Sequence, residues 1–322
     1  MVIDGYQSLP DCVTKFHNTV YVRGWFHHPE DELQAVRLVG ADLVHQVSEA
    51  NTPHGGVSAQ LGENRGFFVQ ALFARETAIE QLSIEWTTRS RRLIAIPLMQ
   101  FAEDRTSRFE TRFLLERFKS LIEERQATSL LDIGGRDRSR VGKRVIFPPA
   151  ETTVLDVIAA DGVDVVGDAH RLSDYFPSGA FDAVYSCAVF EHLLMPWKVA
   201  IEMNHILKVG GIGLVQTHQT IGMHDLPWDF WRFSSDCWDA IFNKRTGFKI
   251  IARAMDAESY VLPFIYRPGK YFAERSVGFE GSAVIFEKTS ETTLDWDVQV
   301  SDLVETCYPD VADYNARNIP GN

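Results

Sequence analysis

The chain has 322 residues, of which 45% are hydrophobic, and carries a formal net charge of −12 at pH 7. This length is enough for two domains of ordinary size, and the apolar content excludes global disorder because it supplies a substantial core. The acidic excess argues against a protein that binds nucleic acid or an anionic membrane, since both partners need a dense basic surface.

The cysteines and the N-terminal segment favour a reducing compartment. Cys12, Cys187, Cys237 and Cys307 are scattered without a CxxC pair, so the sequence predicts no disulfide framework and no bound metal. Residues 1–16 lack the basic region and apolar run of a secretory signal, and no apolar stretch approaches membrane-spanning length. We therefore expect a cytoplasmic protein without membrane insertion.

Residues 1–98 have the pattern of short strands. Thr19–Phe26 is rich in Val, Tyr and Trp, and Leu82, Ile84 and Trp86 alternate with polar residues at a period of two. Gly and Pro punctuate the segment, and it contains no long helical pattern. The pattern predicts a small antiparallel β-sandwich, which forms a separate N-terminal domain for assembly or for glycan binding.

Residues 99–288 alternate between helical and strand patterns. A helical period covers 103–126, and its apolar face comprises Phe109, Phe113, Leu114, Phe118, Leu121 and Ile122. A helix is expected at Pro196–Lys208. The predicted strands are Ser129–Ile133, Thr152–Val157, Val163–Val166, Phe181–Ser186 and Ile212–Thr217. This alternation predicts an α/β fold, a Rossmann-like doubly wound sheet that is mostly parallel.

The end of the sequence contains two more predicted strands of this sheet, followed by a segment without helical or strand periodicity. Phe248–Ala254 and Ser282–Lys288 are expected to form an antiparallel pair at the sheet edge, so that the last strand is antiparallel. Residues 289–322 have no periodic pattern. We expect them to form a C-terminal tail that lies over the surface or over a partner.

Small and acidic residues follow the first three predicted strands, at the edge where sheets of this kind bind ligands. Gly134 and Gly135 follow the first strand and allow the backbone to turn sharply and approach a ligand. Asp156 follows the second and can accept hydrogen bonds from both hydroxyls of a ribose. Asp168 and Ala169 follow the third, where the carboxylate can accept from an exocyclic amine. In this order, these residues predict a site for an adenine nucleoside.

Around these residues the sequence resembles the class I methyltransferases of the type 11 kind. The matching blocks are LLDIGG at 130–135, Asp156, GDA at 167–169, FDAVYS at 181–186, EHL at 191–193 and LKVGG at 207–211. The resemblance implies S-adenosylmethionine as the cofactor. It also implies that Asp132 and Gly134 line the methionine end of the cofactor, that Asp156 holds its ribose and that Asp168 reads its adenine.

The chain departs from this family in the glycine loop. The usual pattern is D-x-G-x-G-x-G, and here Arg136 and Arg138 occupy the second and third glycine positions. Three interpretations stay open: the loop is wider than usual, one of these arginines pairs with the carboxylate of the cofactor, or both arginines form a solvated patch. A nicotinamide fingerprint needs glycines at 134, 136 and 139, and only Gly134 is present, so that alternative is the weaker one.

Methyl transfer to a hydroxyl group needs alignment and a base. His218, directly after the fifth strand, is the first candidate for the base, and His192 and His224 are the other candidates. The competing interpretation for each is a hydrogen-bonded structural histidine.

A segment rich in aromatic residues follows the fifth strand. It also resembles a narrower bacterial subgroup with a PWDFWRFS segment, here Pro227–Ser234, and members of that subgroup are often connected with the modification of surface polysaccharides. Aromatic faces bind sugar rings, and an arginine holds an anionic group. The predicted acceptor-binding residues are His224, Trp228, Trp231 and Arg232. The alternative is that the tryptophans belong to the core and that Asp229 forms a local salt bridge with Arg232.

The resulting hypothesis is a methyltransferase that uses S-adenosylmethionine to methylate a hydroxyl group of a glycan or of a small-molecule acceptor. Aminopropyl transfer on the same fold is one alternative. A non-catalytic scaffold for assembly, with a vestigial cofactor site, is the other. A homo-oligomer is compatible with the sequence.

Overall fold

A computed structural model of the chain describes residues 2–3, 5–54, 57–101, 110–137, 145–259 and 278–308. These residues fall into two compact units, the first ending at Phe101 and the second beginning at Glu110. The domain boundary expected at 98–99 stays a prediction. In the described part of the chain, every helix is too short or too polar to cross a lipid bilayer.

The first unit consists of antiparallel strands and one short helix. Its strands are β1 Val2–Ile3, β2 Tyr6–Phe16, β3 Thr19–His27, β4 Leu33–Val39, β5 Leu43–Thr52, β6 Gly66–Phe73, β7 Ser83–Thr88 and β8 Leu93–Pro97, and α1 is Ser58–Leu61. They form a sheet in the order β1-β2-β3-β6-β5 and another in the order β4-β7-β8. Both sheets contribute to one core, in which Phe67 and Trp86 are fully buried. The prediction of an antiparallel, β-rich N-terminal region is confirmed.

The second unit consists of a seven-stranded sheet with helices. The strands are β9 Ser129–Ile133, β10 Glu151–Asp156, β11 Val165–Val166, β12 Phe181–Cys187, β13 Leu207–His218, β14 Phe248–Ser259 and β15 Gly278–Lys288, and the helices are α2 Glu110–Glu124, α3 Leu172–Tyr175, α4 Pro196–Ile206 and α5 Cys237–Ile241. Their order is β11-β10-β9-β12-β13-β15-β14. Strand β15 runs antiparallel to both of its neighbours, and the other pairs are parallel. The predicted mostly parallel sheet with an antiparallel last strand is confirmed.

Both faces of this sheet are buried, as expected for parallel strands flanked by helices. Leu130 of β9 belongs to the same core as Phe118 of α2. The next residue, Leu131, points the other way and belongs to the core that contains Val199 and Met203 of α4. Because side chains alternate along a strand, the apolar run in β9 supplies both cores at once.

Some predicted boundaries and faces differ from the structure. Phe113 is 68% exposed, although the helical period placed it on the apolar face. At about 100° per residue, Phe113 lies about 140° around α2 from Phe118, whereas Leu114 lies close to the same face. Phe109 lies outside the described residues. Strand β13 begins at Leu207, where it pairs with Phe181, so the preceding helix ends before the predicted Lys208.

The segment after β15 follows the surface of the second unit as far as Tyr308, the last residue described. Its regular structure there is a short 3-10 turn at Val300–Asp302. Lys198 Nζ donates a hydrogen bond to the carbonyl oxygen of Trp296 at 2.6 Å, and Trp228 Nε1 donates to Thr306 Oγ1 at 3.1 Å. The tail is thus attached to the unit that contains the parallel sheet.

Candidate active site

A cavity of about 490 Å³ lies at the carboxyl ends of β9, β10, β11 and β12. Its volume is in the range of small-molecule sites. The predicted cofactor residues that line it are Gly134, Arg136, Asp156, Asp168 and Ala169. Asp132 and Gly135 are not among its lining residues. The strand ends therefore bring five of the seven predicted cofactor residues to one cavity.

The two glycines after β9 have different structural tasks. Gly134 has a φ of +77°, a backbone conformation that residues with a side chain rarely adopt, and a Cβ atom there would lie 2.2 Å from Cγ2 of Val189. Both the backbone conformation and the close packing therefore require glycine. A Cβ atom on Gly135 would lie 2.4 Å from a carboxylate oxygen of Asp132, which is itself buried. Gly134 thus allows the loop to pass close to the end of β12, and Gly135 makes room for Asp132 beneath the loop.

Asp156 is a buried carboxylate at the end of β10. Its Oδ1 accepts a hydrogen bond from the backbone N–H of Ile158 at 2.9 Å, and Nε of Arg136 lies 3.8 Å from the same oxygen. The Arg136 side chain is only 8% exposed, so the interpretation of Arg136 as part of a solvated patch is wrong. Its positive charge instead reduces the cost of burying the Asp156 carboxylate. Arg138 lies outside the described residues.

Asp168 caps the short 3-10 turn Ala169–Arg171. Its Oδ1 accepts from the backbone N–H of His170 at 2.9 Å and lies 2.6 Å from Nδ1 of the same residue. Nε2 of His170 accepts from the backbone N–H of Met195, so Nδ1 carries the proton. Burial acts to raise the pKa of Asp168, but the hydrogen bonds that it accepts from His170 hold it below its ordinary value. These bonds use Oδ1, which leaves Oδ2 of an ionised carboxylate for a donor in the cavity.

Three histidines surround the buried side chain of Glu191 beside the cavity. His192 and Glu191 follow β12, His218 ends β13, and these strands are neighbours in the sheet. Nε2 of His218 lies 3.4 Å and Nε2 of His192 lies 3.9 Å from Oε1 of Glu191. The ring centroids of His192 and His224 are 4.9 Å apart. Of the three histidines, His192 lines the cavity.

His192 is held with a defined ring orientation. Its Nδ1 lies 2.6 Å from the carbonyl oxygen of Trp228, which can only accept a hydrogen bond, so Nδ1 carries the proton. Its Nε2 lies 3.6 Å from Oδ2 of Asp225. Burial lowers the pKa of His192, although the nearby carboxylates of Glu191 and Asp225 act to raise it. The ring is therefore neutral at neutral pH.

Only some of the predicted acceptor-binding residues of the aromatic segment line the cavity. Trp228 is buried and lines the cavity. Trp231 is 37% exposed and donates from Nε1 to the carbonyl oxygen of Leu193. Arg232 binds Asp229 through two hydrogen bonds of 2.6 and 2.7 Å, the local salt bridge that was the alternative interpretation. His224, Trp231 and Arg232 do not line the cavity.

The C-terminal tail supplies cavity-lining residues that the sequence did not indicate. They are Gln299, Val300, Ser301, Val304, Glu305, Thr306, Cys307 and Tyr308. The hydroxyl of Tyr308 makes a short hydrogen bond to Asp225, and its ring lies 5.3 Å from that of His192. Glu191 and Asp225 were also missed as site residues. The position of Glu191 directly before His192, a predicted site residue, was the one feature of the sequence that could have indicated its role.

Part of the chain is similar to known proteins. Residues 147–215 match the Methyltransf_11 family model, described as a methyltransferase domain. No curated protein matches the chain significantly. Three similar solved structures each have 14% sequence identity to this chain. A SAM-dependent methyltransferase from Archaeoglobus fulgidus aligns over 54% of this chain and 94% of its own, with a TM-score of 0.36. A putative sarcosine dimethylglycine methyltransferase from Galdieria sulphuraria aligns over 58% of this chain and 91% of its own (TM-score 0.36), and a putative methyltransferase from Bacillus halodurans aligns over 53% and 98% (TM-score 0.38).

The matched segment runs from the residues before β10 into β13 and contains Asp156, Asp168 and Glu191. Together with the sheet order, the match indicates a methyltransferase domain of the S-adenosylmethionine-dependent kind in the second unit.

Proposed function

We propose that the chain transfers the methyl group of S-adenosylmethionine to a hydroxyl group of a glycan or of a small hydroxylated molecule. The observation that supports this proposal is the cluster of His192, His218 and Glu191 at the ends of β12 and β13, in which His192 lines the cavity formed by the preceding strands.

The residues of the cavity fit the cofactor. The loop at Gly134 approaches closely, Asp156 offers a carboxylate for the ribose hydroxyls, and Asp168 offers Oδ2 for the adenine amine. When bound, S-adenosylmethionine supplies a methyl group already activated by a sulfonium. The main task of the protein is then to align the acceptor hydroxyl with this methyl group and to remove the hydroxyl proton.

We infer that His218 accepts this proton. Its Nδ1 is buried, so Nε2 is the nitrogen that an acceptor can reach. A proton gained at Nε2 is stabilised by Oε1 of Glu191, 3.4 Å away. The carboxylate itself is positioned by Thr217, whose Oγ1 donates to Oε2 at 2.5 Å. Glu191 thus lies beside the nitrogen that takes the proton, and its negative charge favours the imidazolium that results.

The aromatic residues support a ring-shaped acceptor. Trp228 lines the cavity, and the partly exposed face of Trp231 belongs to the same segment. Aromatic faces stack on the apolar faces of sugar rings and on planar rings. The resemblance of Pro227–Ser234 to a subgroup connected with polysaccharide modification favours the glycan.

The proposal is tested by binding and turnover of the full chain. S-adenosylhomocysteine at a hundredfold excess over its Kd should stabilise the protein by about 2.7 kcal/mol, whereas NAD should leave the melting temperature unchanged. Release of S-adenosylhomocysteine is then measured with sugars, nucleotide sugars and phenols as acceptors. His218→Gln should lower kcat at least about 100-fold without weakening cofactor binding.

The matched control is His205→Gln, because His205 is half-buried in α4 and does not line the cavity. It should retain full turnover. Absence of binding by both sulfur nucleotides at millimolar concentration would refute the proposed cofactor, and turnover with amine acceptors alone would refute the hydroxyl acceptor.

A further inference from the structure

The cluster around Glu191 has the composition of a metal site, although the sequence predicted no bound metal. Glu191, His192 and His224 each place one donor atom so that these atoms lie within 4.8 Å of one another. Glu191 and His192 are buried, and the His224 side chain is 21% exposed. We propose that these three residues bind a divalent first-row transition-metal ion beside the cofactor cavity.

The ring orientations of both histidines favour this site. Nδ1 of His192 lies 2.6 Å from the carbonyl oxygen of Trp228, and Nδ1 of His224 lies 3.1 Å from that of Gly222. A carbonyl oxygen only accepts, so each Nδ1 carries a proton, and Nε2 is the nitrogen that each ring can offer to a metal ion. Metal-binding histidines typically donate their second N–H to a carbonyl or carboxylate, which fixes the ring for the metal.

The buried carboxylate of Glu191 is a second, independent indication that this cluster binds a cation. Its side chain is fully buried, and Oε2 accepts from Thr217. Among the described residues, no hydrogen-bond donor reaches the buried Oε1. A buried carboxylate oxygen is costly unless it is paired or coordinates a metal. Oε1 is also the oxygen of Glu191 that faces the histidines, at 3.9 Å from Nε2 of His192 and 3.4 Å from Nε2 of His218.

The donor set narrows the choice of ion. Two imidazoles and one carboxylate suit Zn²⁺, Fe²⁺, Co²⁺ or Ni²⁺, whereas Ca²⁺ and Mg²⁺ prefer oxygen ligands alone. Metal–ligand bonds of about 2.0–2.2 Å require the donor atoms to approach one another more closely than they do here. Asp225 is near enough to contribute a further ligand, because its Oδ2 lies 3.6 Å from Nε2 of His192.

Three protein ligands leave positions open on the ion, as in catalytic metal sites. His192 lines the cavity, so an open position is available to a group bound there. A metal ion lowers the pKa of a bound hydroxyl group, which would favour methyl transfer to oxygen. This last step rests on the proposed function, whereas metal binding itself does not.

Metal binding is tested on the full chain after treatment with EDTA. Zn²⁺ and Co²⁺ are titrated separately by calorimetry, and the melting temperature is followed in parallel. We expect one ion per chain and a raised melting temperature. Glu191→Gln and His224→Ala should each weaken binding at least about 100-fold, since even a residue that only supports a metal ligand contributes 10- to 100-fold.

His205→Ala is the matched control and should bind the ion like the wild type, because His205 lies outside the cluster. If Glu191→Gln destabilises the buried cluster so that the chain unfolds, His224→Ala decides, because its side chain is partly exposed. Absence of binding at millimolar metal, or unchanged affinity in His224→Ala, overturns the site. Binding of S-adenosylhomocysteine is measured on the same samples, so a failed metal site is distinguished from a failed cofactor site.

Discussion

The carboxylate of Asp156 is held by two groups at once. The backbone N–H of Ile158 and the guanidinium of Arg136 both approach Oδ1. The second oxygen, Oδ2, is therefore the one that we expect to accept from a ribose hydroxyl. A buried charged acceptor of this kind contributes to cofactor affinity and to the stability of the empty protein at the same time.

Asp156→Ala should lower affinity for S-adenosylhomocysteine by about 30- to 150-fold, which corresponds to the loss of roughly 2–3 kcal/mol from charged hydrogen bonds. It should also lower the stability of the cofactor-free protein by about 1 kcal/mol, because the N–H of Ile158 loses its acceptor. Asp156→Asn should be milder, since one acceptor oxygen remains. Calorimetric titration and melting curves of both variants measure the two effects separately.

Asp164→Ala is a matched control for this experiment. Asp164 also accepts a backbone hydrogen bond, from Val154 at 2.8 Å, but it is exposed and does not line the cavity. It should lower stability without changing affinity. If Asp156→Ala behaves like Asp164→Ala, Asp156 caps a turn and does not hold the ribose.

At the scale of elements, Asp182 connects the start of β12 to the start of β9 through hydrogen bonds. Its Oδ2 accepts from the backbone N–H groups of Thr128 and Ser129 at 3.0 and 3.1 Å, and its Oδ1 accepts from Lys208 at 2.6 Å. Burial acts to raise the pKa of Asp182, but Lys208 and these donors hold it well below its usual range. The bonds set the register of two neighbouring parallel strands at the end opposite the cavity.

Because the pKa of Asp182 is depressed in the folded state, its stabilisation is fully present above the unfolded value of about 3.9 and is lost as the pH falls through the folded value. Asp182→Asn should therefore lower the free energy of unfolding by about 2–3 kcal/mol at pH 7. The difference from the wild type should shrink below about pH 4. Urea unfolding at pH 7 and pH 3.5 measures this, with exposed Asp161→Asn as the control. A difference that is independent of pH would contradict the ionic origin.

The tail offers a second test at this scale, through its cysteine. Cys307 is exposed and lines the cavity, whereas burial, with Asp236 and Asp239, raises the pKa of the Cys237 thiol to about 12. Cys307 should therefore react faster with iodoacetamide than Cys237. If the cavity must be empty for this reaction, a hundredfold excess of S-adenosylhomocysteine over Kd should slow it about 100-fold. Peptide mapping by mass spectrometry measures both rates, and an unchanged Cys307 rate would mean that the tail does not cover bound cofactor.

The elements of the sheet were predictable because their signals are local. Strands such as β9 and β12 are short apolar runs, as expected for strands buried on both faces. Gly134, Asp156 and Asp168 lie at the ends of their strands or within two residues of them. The tail gave no such signal, because its contacts join residues far apart in the chain, such as Thr306 and Trp228. The direction of the Arg136 side chain could not be predicted from the sequence either, because a loop sequence does not specify which distant carboxylate a long side chain reaches.

At the scale of the whole molecule, the candidate site belongs to the second unit. The residues lining the cavity extend from Ile133 to Tyr308, and the histidine cluster lies within the same range. The first unit has a core of its own, with Phe67 and Trp86 at its centre. We propose that residues 1–98 form a domain that folds separately and serves assembly or glycan binding, and that cofactor binding does not depend on it.

A chain that begins at Ala102 tests this independence. It should fold and bind S-adenosylhomocysteine with a Kd within about twofold of the full chain, a difference of roughly 0.4 kcal/mol, because every cavity-lining residue is retained. Circular dichroism and a cooperative melting transition establish folding, and calorimetry measures the Kd. Asp156→Ala in the shortened chain serves as the control, and it should weaken binding by the same factor as in the full chain. A folded shortened chain that no longer binds the cofactor would show that the first unit contributes to the site, and the separate roles proposed for the two units would then be wrong.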